Sequence, residues 1–230
     1  MHGEPPTTDP DMLAMLIRTQ NPAFADLMTG YVTAHPKAEA DVVAVMRWAI
    51  ATQGKGVPPT RDPRLLGTLV KMADAKFGTL MLKFLDAHPS AGADVATVLH
   101  WAIRTRGAGA PDTNNAQLLG ALIATQNEPI AKLLLAHLKA NPRSRVEVAK
   151  VMRWAIESHG KGMPPTEDPH LLATLIGTQN PGFSQLMKDF LAANPSAEAD
   201  VAAVERWAIK TQGKTGLPPT RNARLLARSS

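Results

Sequence analysis

The stretch Arg47–Pro63, RWAIATQGKGVPPTRDP, decides the fold because most of it recurs. Trp-Ala-Ile begins at Trp48, Trp101, Trp154 and Trp207, 53 residues apart each time. Pro-Pro-Thr begins at Pro5, Pro58, Pro164 and Pro218, with Pro111-Asp112-Thr113 standing between; the last interval is 54 because QGKTGLPP is one residue longer than QGKGVPP. A fixed period of this length marks an array of supersecondary units. The units run 5–57, 58–110, 111–163 and 164–217, and the stub 218–230 restarts a fifth. The expected organisation is a single repeat array over residues 1–230.

Each unit reads as three helices, which predicts an all-α fold. In the first unit Asp9 caps a helix that Pro10 opens, with Leu13, Leu16, Ile17 and Gln20 at helical spacing. Asn21 and Pro22 open the second, whose apolar positions are Phe24, Leu27, Met28, Tyr31 and Val32. The third carries Val42, Val45, Met46, Ala49 and Ile50 on one stripe, and Gly54 suits the left-handed position beyond its end. Asp62-Pro63, Asp168-Pro169 and Asn180-Pro181 repeat the cap-plus-proline start, while Asp74 and Asn127 keep the cap without the following proline. His35-Pro36, His88-Pro89, Asn141-Pro142 and Asn194-Pro195 predict the same kind of start for the third helix.

A three-helix unit cannot bury its stripes alone, so stacking into an α-solenoid of four repeats plus a partial fifth is the expected solution. In this the chain resembles armadillo and HEAT-type repeat proteins over essentially its full length, in architecture only, since the period exceeds their usual unit. Its Ala-, Arg- and Pro-rich helical composition is also similar to that of large repeat-type type III effectors of plant-pathogenic bacteria, a likeness that implies delivery to a host cell. Neither end reads as a polar-faced cap. A segment of a longer array is expected, with an end-to-end dimer as the alternative.

The totals limit the chemistry. There are no cysteines, hence no disulfide or thiolate metal site. No apolar run of about 18 residues and no signal-peptide core are found, so a soluble chain without membrane contact is expected. The formal charge of +5 is uneven. Residues 58–110 and 111–163 each carry seven Lys/Arg against four Asp/Glu, whereas 5–57 carry four against five and 164–217 four against six. Sequence-tolerant nucleic-acid binding would need a basic stripe through every unit, which this distribution does not supply.

Gly213-Lys214-Thr215 supplies the last letters of a phosphate-binding loop, but the earlier glycine would fall on Ala208, and a helix precedes the loop instead of a strand. The Gly-Lys loops therefore read as helix ends and turns. Trp48, Trp101, Trp154 and Trp207 lie about 60° outside the apolar stripe on a 100° wheel. They are read as packing between units, with a tryptophan-studded groove as the functional alternative. Arg47, His100, Arg153 and Arg206 precede them on the polar arc, spaced to contact acidic peptide or phosphate. Seven histidines show no paired metal spacing, and no catalytic triad is identifiable. Thr19-Gln20, Thr125-Gln126 and Thr178-Gln179 read as a structural ladder, with each Gln reaching backbone in the next unit.

These residues together predict a non-enzymatic scaffold, without cofactor or metal, that binds a protein or peptide through Arg47, His100, Arg153, Arg206 and the four tryptophans. The rivals are nucleic-acid binding and a structural spacer arm of a larger effector.

Overall fold

A computed structural model describes residues 5–212 and 218–229, with side chains through Leu226. Gly213-Lys214-Thr215 and the remainder of that loop lie outside the described residues. Among the described residues the secondary structure is helical throughout, without strands. The chain divides into two compact halves between Thr113 and Asn114. The first holds α1 (Pro10–Arg18), α2 (Pro22–Ala34), α3 (Glu39–Thr52), α4 (Pro63–Ala73), α5 (Ala75–Ala87) and α6 (Gly92–Thr105). The second holds α7 (Ala116–Ala124), α8 (Glu128–Ala140), α9 (Arg145–Ser158), α10 (Pro169–Ile176), α11 (Pro181–Ala193), α12 (Glu198–Thr211) and α13 (Ala223–Ser229).

The helix starts follow from the caps. Asp9 Oδ1 accepts from the N–H groups of Asp11 and Met12 at 2.9 and 3.3 Å, and Asp62 and Asp168 do the same for α4 and α10. Asn21, Asp74, Asn127 and Asn180 each accept from the N–H three residues on. Each such cap typically contributes about 1 kcal/mol.

One expectation about the third helices needs correction and a second needs extension. His35, His88, Asn141 and Asn194 do not cap them. The prolines open short 3-10 turns, Pro36–Ala38 and its counterparts, that carry no side-chain cap. The residues before proline serve the end of the second helix instead. Asn141 Nδ2 donates to His137 O and Asn194 Nδ2 to Phe190 O, while the His35 and His88 rings lie against Tyr31 and Phe84 at 4.6 and 4.5 Å. Gly54 is left-handed as expected, but the left-handed turn closing the third helix begins one residue earlier, before the glycine. Gln53, Arg106, His159 and Gln212 occupy that earlier position, with φ of 52–56°. Gly54 follows at φ 72° and Gly56 at 93°, so the turn uses three positive-φ residues where one was expected. A side chain in this region costs about 1–2 kcal/mol, at the same place in every repeat.

The first and last cores are each completed by a residue from the helix that follows. Leu65 of α4 is fully buried among Leu13, Ala14, Ile17, Ala25, Met28, Tyr31, Val42, Val45 and Met46, and Leu69 packs at the edge of that group. Leu225 of α13 is likewise fully buried with Met187, Phe190, Leu191, Val201 and Val204. Met12 holds the same register on α1 as Leu65 does on α4. There Met12, Met15 and Leu16 are 54%, 68% and 50% exposed.

Small residues set the distance between first and second helices. At Gly78 an added Cβ would lie 2.5 Å from the Lys71 backbone, so α4 and α5 approach too closely for any side chain there. Ala25, Ala131 and Ser184 fill the same register elsewhere, all buried. Ser184 Oγ uses its place to donate to Ala173 O at 2.7 Å.

Candidate binding surface

Three of the four basic residues before the tryptophans are held by the chain that opens their own repeat. His100 Nε2–H donates to Thr60 O at 2.9 Å, and Arg206 Nη1 donates to Thr166 O at 2.7 Å. Arg153 Nη1 donates to Asn114 Oδ1 at 2.9 Å. All four basic residues, Arg47 included, are half-buried. The reach of His100, Arg153 and Arg206, about 40 residues back along the sequence, ties α6, α9 and α12 to the start of their own repeats.

That threonine is a junction that motif reading missed. Thr60, Thr113 and Thr166 are 4%, 4% and 2% exposed. The Thr60 hydroxyl donates to Asp41 Oδ1 on α3 at 2.7 Å and accepts from the Asp62 N–H at 3.1 Å. Thr113 donates to Asp94 at 2.7 Å and Thr220 to Asp200 at 3.1 Å. One residue thus links the preceding third helix, the turn and the following first helix. Thr60→Val removes the donor and leaves the half-buried Asp41 carboxylate short of a partner. It should lower stability by about 1–3 kcal/mol in a denaturant melt, with helical content unchanged before the transition.

The tryptophans differ among themselves. Trp101 is 8% exposed, and its Nε1–H donates to Ala108 O at 3.1 Å, so it closes the loop after its own helix. Trp154 and Trp207 are half-buried. Trp48 is half-buried too, with one side on the first core and the other facing an open trough of about 510 Å³. The trough is lined by Ala40, Val43, Ala44, Arg47, Ala51 and Pro59 as well. Small side chains on one face of α3 make the depression, and Arg47 supplies the charge at its rim.

A second depression of about 450 Å³ lies where α2 meets the start of α4, beside Tyr31, His35, Lys37, Asp41, Asp62 and Arg64. Tyr31 OH donates to Asp62 Oδ2 at 3.1 Å. Burial first, then the Asp62 carboxylate, pushes the Tyr31 hydroxyl well above its usual range, so it remains a donor. Arg64 pairs with Asp86 at 2.8 Å, which ties the first turn of α4 to the last turn of α5. The Thr-Gln ends act locally. Thr19, Thr125 and Thr178 donate to carbonyls three residues back, and Gln126 accepts from His159 Nδ1–H within the same repeat instead of meeting backbone in the next. Among the described residues no group of three or more His, Asp or Glu is arranged to hold a metal, and no helix is long and apolar enough to cross a membrane. No family model, curated protein or solved structure matches the chain.

Proposed function

We propose that the chain is an α-solenoid of four 53-residue repeats with a partial fifth, acting as a non-enzymatic scaffold for a protein partner. The partner chemistry it suits is an extended segment with an apolar anchor next to an acidic residue. One observation carries this reading: the trough on α3, where Trp48, Val43, Ala44 and Ala51 offer an apolar floor and Arg47 a cation at the rim. An aromatic wall beside an arginine is the composition of residues that dominate binding energy at protein interfaces. The corresponding face of α9 leaves Val146 72% exposed, again an apolar side chain open to solvent on a third helix.

Selection of peptides from a random display library with the purified chain tests this. Enriched sequences should pair an aromatic or aliphatic residue with Asp or Glu. Trp48→Ala and Arg47→Glu should each weaken a selected peptide at least tenfold while helical content is kept. Absence of enrichment, or binding indifferent to both substitutions, overturns the reading. Steep salt-dependent binding to RNA or DNA favours the nucleic-acid rival instead.

A further inference from the structure

We infer that the exposed face of α1 is a docking surface for the C-terminal repeat of a second copy of this chain, at the seat now held by α13. Three matched observations support it. The first is register: Met12 on α1, Leu65 on α4 and Leu225 on α13 are equivalent positions in the repeat. Leu65 and Leu225 are fully buried in the core of the repeat before them, whereas Met12 is 54% exposed. The second is extent. Met15 and Leu16 widen the exposed strip, and Leu69, the counterpart of Leu16, packs against the preceding core. The third is polar. Thr60 and Thr220 each accept from the N–H two residues on and donate to the first-turn aspartate of the preceding third helix, Asp41 and Asp200. Thr7 makes the same turn, accepting from the Asp9 N–H at 3.1 Å, but has no carboxylate to donate to among the described residues.

The head of one copy therefore carries the full set of contacts that the tail of another accepts. Met12 would replace Leu225 among Met187, Phe190, Leu191, Val201 and Val204, and Thr7 would replace Thr220 on Asp200. The surfaces are different patches, so the association is heterologous and runs head to tail, as a ring or an open filament. The seat is already filled by α13, which makes α13 an internal competitor. Releasing α13 should expose the seat and promote assembly. This inference rests on the repeat register and is independent of the trough on α3.

Sedimentation equilibrium on the full chain tests it. Leu225→Asp should unseat α13 and tighten self-association at least tenfold over the unaltered chain. Leu225→Ala, which removes the anchor without adding charge, should move it in the same direction. Adding Met12→Glu and Leu16→Glu to either variant should restore the monomer, and Trp48→Ala should not. Two results overturn the proposal: both Leu225 variants remaining as monomeric as the unaltered chain, or association that persists with Met12→Glu and Leu16→Glu in place.

Discussion

Glu205→Met will stabilise the C-terminal half by about 2–4 kcal/mol at pH 7, against the usual direction of core substitutions. Glu205 lies on α12 in the register of Met46, Leu99 and Met152, each 0% exposed, and is itself 0% exposed. Neither carboxyl oxygen has a hydrogen-bond partner. Burial first, and then the Asp168 carboxylate at the start of α10, push its pKa up to about 9, with Lys188 on α11 opposing. In the unfolded chain the same group titrates at about 4.3. Between those values the unfolded chain ionises while the folded one keeps the proton, so stability falls as pH rises through the window, by up to about 1.4 kcal/mol per unit.

His137 acts at the other end of the pH range. It is buried on α8, in the register of Tyr31, Phe84 and Phe190, with its Nδ1 3.4 Å from the Thr174 hydroxyl and its Nε2 without a partner. Burial lowers its pKa, Asp168 raises it in part, and His170 and Lys188 add to the lowering. A histidine depressed in the folded state loses stability as pH falls below its ordinary value of about 6.5. The two effects therefore oppose each other below about pH 6.5, and above it only the Glu205 loss remains, so the unaltered chain should lose stability steadily from there toward pH 9. Thermal melts from pH 5 to 9 check this. Glu205→Met and Glu205→Gln should both flatten the alkaline limb. An unchanged limb in both variants would mean that Glu205 is not the group responsible.

Leu65→Ala should cost about 3–5 kcal/mol, as for a fully enclosed leucine. Met12→Ala, at the equivalent place one repeat earlier, should cost under about 0.5 kcal/mol, as for a surface side chain. The contrast is informative because register and the Asp-Pro helix start are shared. Apart from the exchange of Met for Leu, what differs is the presence of a preceding core. Urea melts of the two variants measure it, and equal losses would show that Leu65 does not complete the core of the first repeat.

How much of this could be read in the sequence depended on the range of the interaction. Helix starts were legible at Asp9, Asn21, Asp62, Asp74, Asn127, Asp168 and Asn180, because a cap is a contact between residues two or three apart. The buried faces of α1 and α3 were legible as stripes, though Leu16, read as apolar stripe, is exposed. The ties from His100 to Thr60 and from Arg206 to Thr166 were not legible, since they join residues 40 apart. Position 53 was misread for another reason: Gly54 drew the left-handed assignment that begins one residue earlier, at a residue type that seldom adopts it. Glu205 escaped notice because charge counting treats every carboxylate as solvated. The trough beside Trp48 depends on the depth left by Ala44 and Ala51, which a helical wheel does not measure.

The Leu65 arrangement puts the written repeat and the energetic repeat out of phase. A cut at the motif boundary after Val57 would leave the first core with an open side where Leu65 had been. A cut after Asp74 keeps α4 with the core it completes but parts it from α5, which it meets backbone to backbone at Gly78. Grafting, permutation or dissection of such an array succeeds or fails on that offset of one helix. The first core is built from α1, α2 and α3 together with α4, so the first two repeats share that helix as neighbouring links share a pin.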